Sequence, residues 1–424
     1  MTTTSKNVKN LIKVIRKERP IEEFGIRMAK RSDDEVKGIS ILHMENTYTT
    51  SGINKRLENL EKHLKKEFNF IKGKEKISDY SLLKGHIENY IGMAQIPIGI
   101  AGPLLINGAF SRGNYYIPLA TTEGALVASY NRGMKACFLS GGISTLCLTE
   151  LVQRSPLFKF DDLFTVGRFI IWVDKMNTEF KRIVQKVSRY ARLLDVKTNF
   201  EGNSIILTFE YSTGDASGQN MVTVCTAAIC KFILANFPTK PNEWYLESNF
   251  SGDKKATALS FTNVRGKKVT AEIVLKKEVI RDVLKTSPEK IYKYWRASTL
   301  AVIQTGALGA QSHIANGLTA LFIACGQDVA CISESSVGLT RMELTKNEDL
   351  YLSLTMPSLV VGTVGGGTGL ATQKDALEMI DCFGQNKAKK FAEICCALAL
   401  AGELSIASAH SVDQFAIAHQ NLGR

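Results

Sequence analysis

Asp253, Lys254 and Lys255 follow one another in a polar stretch after Asn249-Phe250-Ser251-Gly252. A lysine held beside a carboxylate can bind an acid, or steady an oxygen as negative charge develops on it. On a surface the same pair can simply be solvated. Glu123 lies in Ala120-Thr121-Thr122-Glu123-Gly124. This reads as a helix start with Thr121 as N-cap, a place that suits capping as well as proton transfer. Asp328, in Cys325-Gly326-Gln327-Asp328, follows an apolar run, so it is expected to be partly buried and to need a partner. His419 falls four residues after Phe415, on the same face if that segment is helical. No metal site is expected. None of the nine cysteines stands in a Cys-x-x-Cys pair, and the six histidines are scattered. The cysteines have apolar neighbours and read as free buried thiols.

Two glycine loops add a second kind of chemistry. Gly362-Thr363-Val364-Gly365-Gly366-Gly367-Thr368-Gly369 follows a strand-like segment at 358–361 and precedes a helix-like one at 375–380. Glycine lets backbone amides approach an anion, and a helix N-terminus adds a positive dipole. Three readings stand side by side: an anion-binding loop, a plain tight turn, and a Rossmann-type loop with Glu378 or Asp381 as the ribose acid. No following alternation of strands and helices builds a doubly wound sheet. The second loop, Gly214-Asp215-Ala216-Ser217-Gly218-Gln219-Asn220, joins a strand to a helix. Asp215 there reads as a local cap or as part of a phosphate or ribose site.

The elements that must position these residues follow from patterning. Residues 1–85 read as charged helices, with Leu57, Leu60 and Leu64 on one apolar stripe. Residues 96–104, broken by Gly and Pro, read as extended chain and turns. A helix is expected over 123–138, another over 178–194, a strand over 204–211 and an apolar helix over 220–237. Residues 258–424 are rich in Ala, Gly and Leu and read as tightly packed, buried helices.

With 424 residues, 45% of them apolar and 22% charged, the composition is globular rather than disordered. The length exceeds the roughly 250–300 residues of one core, so two or three domains are expected. No run approaches the roughly 18 apolar residues of a membrane span, and Met1 to Lys17 is polar with no apolar signal region. An intracellular, soluble protein is the expectation. The net charge is +12, and residues 1–90 supply half of it, 19 basic against 13 acidic. That excess suits an anionic partner: a nucleic acid, a membrane surface or a phosphorylated small molecule.

Together and in this order the motifs resemble one family, 3-hydroxy-3-methylglutaryl-coenzyme A reductase, in the class I form shared by eukaryotes and archaea and without a membrane anchor. The blocks that carry the resemblance are Glu88-Asn89-Tyr90-Ile91-Gly92, 97–104, 120–124, Gly214-Asp215 with Gly218 and Asn220, and Asp253-Lys254-Lys255. The others are 325–328, Thr355-Met356-Pro357-Ser358, 362–368 and Ala401-Gly402-Glu403-Leu404-Ser405. The resemblance runs from about residue 88 onward. The class I reading rests on Gly266-Lys267-Lys268 and on the short stretch after His419.

The resemblance implies an α+β fold. A large, mostly helical substrate-binding and catalytic domain would comprise 88–155 and 258–424. A small α+β NADP(H)-binding domain, not a Rossmann fold, would be inserted at 156–245, with a connecting catalytic loop at 246–257 and a helical N-terminal region at 1–87. It implies a four-electron reduction of hydroxymethylglutaryl-CoA to mevalonate and CoA with two NADPH. Lys254 would stabilise the developing oxyanion, Glu123 would shuttle protons there, Asp328 would be a buried acid linking the two, and His419 would protonate the departing thiolate. Ser129, Arg132 and Lys135 would contact coenzyme A. Arg154, Asp253 and Lys255 would hold the hydroxymethylglutaryl end. Arg189 would meet the 2′-phosphate of NADPH, and Asp215, Gly218, Asn220, Gly365, Gly366, Gly367 and Thr368 would hold the nicotinamide cofactor. A cytoplasmic homodimer or dimer of dimers with shared active sites is implied, with no nucleic acid and no membrane span. Departures from the pattern are Ser217 and Gln219 for methionines, Glu247 for a serine, Arg296 for a lysine and Gln414 for a second histidine. Two other classes compete: a Rossmann dehydrogenase that needs no Lys254, and a basic nucleic-acid binder without cofactor.

Overall fold

A computed structural model of the chain describes residues 20–42 and 48–412. His419 and Gln414 lie outside the described residues. Among the described residues three helices come first: α1 (Ile21–Met28), α2 (Asp33–Lys37) and α3 (Thr50–Leu64). Thr49 caps α3 by accepting from Gly52 N at 3.1 Å. The Leu57, Leu60 and Leu64 stripe packs with Phe68, Tyr116 and Met379, so the leucine spacing does bury one face.

The remaining elements are β1 (Ile98–Gly108), β2 (Arg112–Ala120), α4 (Leu126–Leu139), β3 (Ile143–Arg154), β4 (Leu157–Lys159), α5 (Leu163–Val187), β5 (Arg192–Glu201), β6 (Ser204–Ser212), α6 (Gln219–Asn236) and β7 (Glu243–Tyr245). They are followed by α7 (Leu259–Thr262), β8 (Gly266–Leu275), α8 (Pro288–Gln304), α9 (Ile314–Ala324), α10 (Ile332–Ser335), β9 (Leu339–Leu344), β10 (Leu350–Leu359), α11 (Ala371–Met379) and α12 (Ala388–His410). The ten strands form one mixed sheet in the order β7-β4-β6-β3-β8-β10-β9, with β1 and β2 joined through β3, and β5 on β6. Among the described strand pairs only β1 with β3 is parallel; β10 runs antiparallel to both β8 and β9. The glycine loop after β10 therefore leaves an antiparallel strand, and the Rossmann reading of it fails.

Two apolar clusters lie along this sheet. One gathers residues of β1–β3, β8, β10, α4, α9 and α12. The other, between Val152 and Phe237, packs α5 and α6 on β5 and β6. β3 belongs to both sides. Its start pairs with β1 and β8, and its last three residues, Val152 to Arg154, pair with β6. The long strand thus delivers Arg154 to the junction of the two clusters.

Several expectations change. The part expected to be mostly helical carries six strands, β1–β3 and β8–β10. In β8 the buried side chains Val269, Ala271, Ile273 and Leu275 alternate, the period of a strand rather than a helix. The helix expected from Glu123 starts at Leu126, after Ala125 in a left-handed conformation (φ 66°). Thr121 does not cap it; its Oγ1 accepts from Glu123 N at 3.0 Å instead. The helix expected at 178–194 runs over Leu163–Val187, capped by Asp162. It stops where Ser188 Oγ accepts from Tyr190 N and Ala191 N, so Arg189 sits in a turn. The nine cysteines are buried, each a free thiol. α12 is long and apolar enough to cross a membrane, yet it lies almost wholly buried as the central helix of the larger cluster.

Candidate active site

Three loops converge at the ends of β6, β10 and α9, and glycine lets them touch. A Cβ on Gly326 would stand 2.2 Å from Gly367 O, and one on Gly362 would stand 2.6 Å from Ser217 N. Gln327 adds a polar tie, its Oε1 accepting from Gly362 N at 2.9 Å. The 214–220 loop, the 362–369 loop and the 325–328 turn are therefore packed back to back.

Asp328 ends the third of these. Its Oδ1 accepts from Ala330 N at 3.0 Å, which caps the turn, and its Oδ2 meets Lys254 Nζ at 3.1 Å. Lys254 adopts a left-handed backbone (φ 56°), so its loop is curled to aim the side chain there. The hydrogen bond that Lys254 donates to Asp328 raises the Lys254 pKa above the ordinary lysine value. Asp328 is not the buried acid expected from the sequence: its side chain is 43% exposed. Nor does it link Lys254 to Glu123 within the chain. Glu123 is exposed, and both its carboxylate oxygens accept from Asn316 Nδ2, at 3.0 and 2.9 Å. Asn316 lies in the first turn of α9, whereas Asp328 lies beyond its last.

Behind Lys254 lies a buried charged cluster. Arg154 Nη1 meets Glu247 Oε2 at 3.0 Å and Asp253 Oδ2 at 3.4 Å, and its Nη2 reaches Gln219 Oε1 and O at 3.4 Å. Arg265 donates to Asp253, to Gln219 Oε1 at 2.9 Å and to Glu334 Oε1 at 3.2 Å. Burial pushes the Glu334 carboxyl up to about 7. Five buried polar atoms here have no partner: Arg154 Nε, Gln219 Nε2, Glu247 Oε1, Ser251 Oγ and Arg265 Nη1. Native interiors satisfy nearly all such groups, so a concentration of orphans marks a place made for a polar ligand. Lys255 is exposed and curls back, donating to Asn249 Oδ1 and Asp253 O.

The expected cofactor residues divide. Gly365 and Gly366 are exposed with open space where a Cβ would stand, and Asn220 and Arg189 are also exposed. These fit an anionic nucleotide. Gly218 starts α6 at φ 83°, pressed on Thr213, and Gly367 is the contact with Gly326. Thr368 is buried and folds its own loop, its Oγ1 donating to Gly365 O at 2.7 Å. Asp215 is turned the other way. It accepts from the backbone of Asn386, Lys387 and Ala388 at 2.7–3.1 Å, capping α12 rather than its own helix.

On α4, Ser129 Oγ meets Ser405 Oγ at 3.1 Å, and Arg132 donates to Ser405 O at 2.8 Å and to its Oγ. Burial lowers the Arg132 pKa. Lys135, one turn on, is exposed. The start of α9 is locked from beneath. Glu403 accepts from Ser312 N and His313 N, each at 2.7 Å, and His313 Nε2 meets Gly402 O at 2.8 Å. Burial holds the His313 ring neutral, its pKa lowered to about 4, and raises the Glu403 carboxyl to about 7. Reading the sequence alone missed Asn316, His313, Arg265, Glu334 and the role of Ser405. Their partners are distant along the chain, and only the Ala401–Ser405 motif hinted at one of them.

The likeness of fold comes first. A Streptococcus pneumoniae structure titled a class II 3-hydroxy-3-methylglutaryl-CoA reductase bound to NADPH matches with a TM-score of 0.65. It covers 86% of this chain and 97% of that one at 18% identity, a likeness of fold. The sequence then gives the family. The profile of hydroxymethylglutaryl-coenzyme A reductase matches residues 52–424, and the chain belongs to that family. The 3-hydroxy-3-methylglutaryl-coenzyme A reductase of Pyrococcus abyssi is 43% identical over 360 residues, 83% of this chain and 88% of that protein. That of Aeropyrum pernix is 44% identical over 357 residues, 82% and 84% respectively.

Proposed function

We propose that the chain reduces hydroxymethylglutaryl-CoA to mevalonate and free CoA, using two NADPH. The observation that carries this reading is the Lys254–Asp328 pair set against a buried cluster with five unpartnered polar atoms. The archaeal relatives support it. NADPH would supply the two hydrides. The open glycines Gly365 and Gly366, with Asn220 and Arg189, would hold it; Gly367 and Thr368 shape that loop, while Gly218 shapes the neighbouring one and Asp215 anchors it to α12.

Lys254 is the group for the substrate oxygen. Paired with Asp328 it stays cationic, and a cation held before the reaction starts stabilises an oxyanion without reorganising. Arg154 and Lys255 would take the hydroxymethylglutaryl end, with Asp253 holding Arg154 in place. Glu123, steadied by Asn316, would pass the proton, and His419 would protonate the CoA thiolate. Ser129, Arg132 and Lys135 would face coenzyme A along α4. The charged cluster at the seam of the two apolar clusters supports a division into a cofactor unit at 156–245 and a substrate unit around it.

The class I form is supported by Gly266-Lys267-Lys268 and by the archaeal relatives. A cytoplasmic homodimer or dimer of dimers completes the reading. The test is oxidation of NADPH with hydroxymethylglutaryl-CoA, with mevalonate quantified. Two NADPH per mevalonate are expected; one, or oxidation that needs no thioester, overturns it.

A further inference from the structure

Arg265 stands immediately before β8, where its backbone N donates to Ser358 Oγ at 3.3 Å. The next residue, Gly266, is left-handed, and a Cβ there would stand 2.4 Å from Leu359 O. The arginine therefore rises from the seam of β8 and β10, where the two backbones are pressed together. Its side chain is 3% exposed. It reaches three separate segments: Gln219 at the start of α6, Asp253 next to Lys254, and Glu334 on α10. Glu334 is itself fully buried, and its helix continues the turn that Asp328 caps.

These contacts close a ring. Lys254 meets Asp328; the chain from 328 to 334 carries Glu334 to Arg265; Arg265 holds Asp253; and Asp253 precedes Lys254. We infer that Arg265 and Glu334 are positioning residues that hold the Lys254 loop against the Asp328 turn and tie both to the cofactor loop through Gln219. The pair touches no reacting atom in this reading and acts through Lys254 and Asp253. A buried guanidinium and carboxylate are costly to desolvate and no better for stability than apolar residues of the same size. What they add here is direction, since the planar fork of an arginine fixes three acceptors in one plane. The inference rests on the role proposed for Lys254, and its test separates the two.

Glu334→Gln keeps the shape and removes the charge; Arg265→Lys keeps the charge and removes the fork. In each variant Lys254 is titrated by competitive amine labelling read by mass spectrometry, which needs neither substrate nor turnover. The charged and titratable groups around Lys254 are Asp328, Asp253 and Cys331, and all remain in both variants. In the wild type, Lys254 is expected to titrate above an ordinary lysine. In a folded variant it is expected to move down toward that value as the Asp328 contact loosens. Turnover number should fall about 10- to 100-fold, the scale of a misplaced group, with KM for hydroxymethylglutaryl-CoA changed far less. An unchanged Lys254 titration in a folded variant overturns the inference even if activity falls. If Glu334→Gln does not fold, Arg265→Lys carries the same measurement. A wild type inactive on hydroxymethylglutaryl-CoA sinks the proposed function and leaves the labelling result to decide the ring.

Discussion

Lys254 and Asp328 face each other with each side chain nearly half exposed, so their interaction is partly screened by water. Its consequence is a direction. The hydrogen bond donated to Asp328 raises the lysine pKa, which keeps Lys254 cationic to higher pH. Asp328→Asn removes that support, so the alkaline limb of the turnover number should move to lower pH. A pH–rate profile on both proteins checks this; an unmoved limb means that Lys254 is not the titrating group. Glu247 makes a second case. Its Oε2 occupies Arg154 at 3.0 Å while its Oε1 is buried without a partner. A substrate carboxylate seeking Arg154 must compete with it and meets its like charge. Glu247→Ser should therefore lower KM for hydroxymethylglutaryl-CoA by about 10-fold, the low end for one hydrogen bond to a charged group. Steady-state kinetics decide it, and a raised KM would mean that Glu247 orients Arg154 for the substrate.

At the scale of elements, α12 is the part on which most of the site rests. Asp215 caps its start, Glu403 in its third quarter anchors the approach to α9, and Ser405 receives Arg132. Glu393, in its second turn, accepts from the backbone of Phe110, Ser111 and Cys147 at 2.7–3.1 Å, tying the helix to the β1–β2 turn and to β3. Burial outweighs those donors and raises the Glu393 carboxyl to about 8, against an ordinary value of 4.5. The unfolded chain therefore releases this proton first as pH rises. Stability from this group is fully present below 4.5 and is lost as pH climbs toward about 8. Measured against Glu393→Gln, the wild type should lose stability steadily over that window and run parallel to it above. Denaturant titrations at several pH values test this; a constant difference would place the glutamate ionised in the fold. α12 also shows what a sequence can reveal. The Ala401–Ser405 block and the apolar, small-residue composition announce a packed helix, because burial and close approach leave a compositional trace. That Asp215 would cap it from 170 residues away leaves no such trace. The start of α4 is hidden in the sequence for a similar reason: Thr121 and Glu123 have cap chemistry, but Ala125 takes a left-handed turn before the helix begins.

At the scale of the whole molecule, α9 separates the chemistry. Glu123 is held at the first turn of this helix through Asn316, and Lys254 lies beyond its last turn through Asp328. Eleven residues at about 1.5 Å each put roughly 16 Å between the two ends of this helix, and no contact joins Glu123 to Lys254 among the described residues. In the function proposed above both groups serve one oxygen, so that proposal calls for Glu123 of one copy and Lys254 of another. The segment before β1 exposes Tyr80, Leu82, Ile87, Ile91 and Met93, Ile91 completely, and such apolar surface favours burial against a partner. A second copy would cover it and, by the isologous symmetry of a dimer, bring the Glu123 end of one α9 to the Lys254 end of the other. Glu123→Ala and Lys254→Ala should each be inactive as pure proteins. Co-expressed under separate tags, they should form hybrid dimers in which one of two sites is intact, so the isolated hybrid should carry roughly half of wild-type activity, and the unfractionated mixture about a quarter for random pairing. If each site lay within one chain, every site in the hybrid would lack one group and no activity would return. Isolation of the doubly tagged species before assay distinguishes that outcome from a failure of the chains to pair.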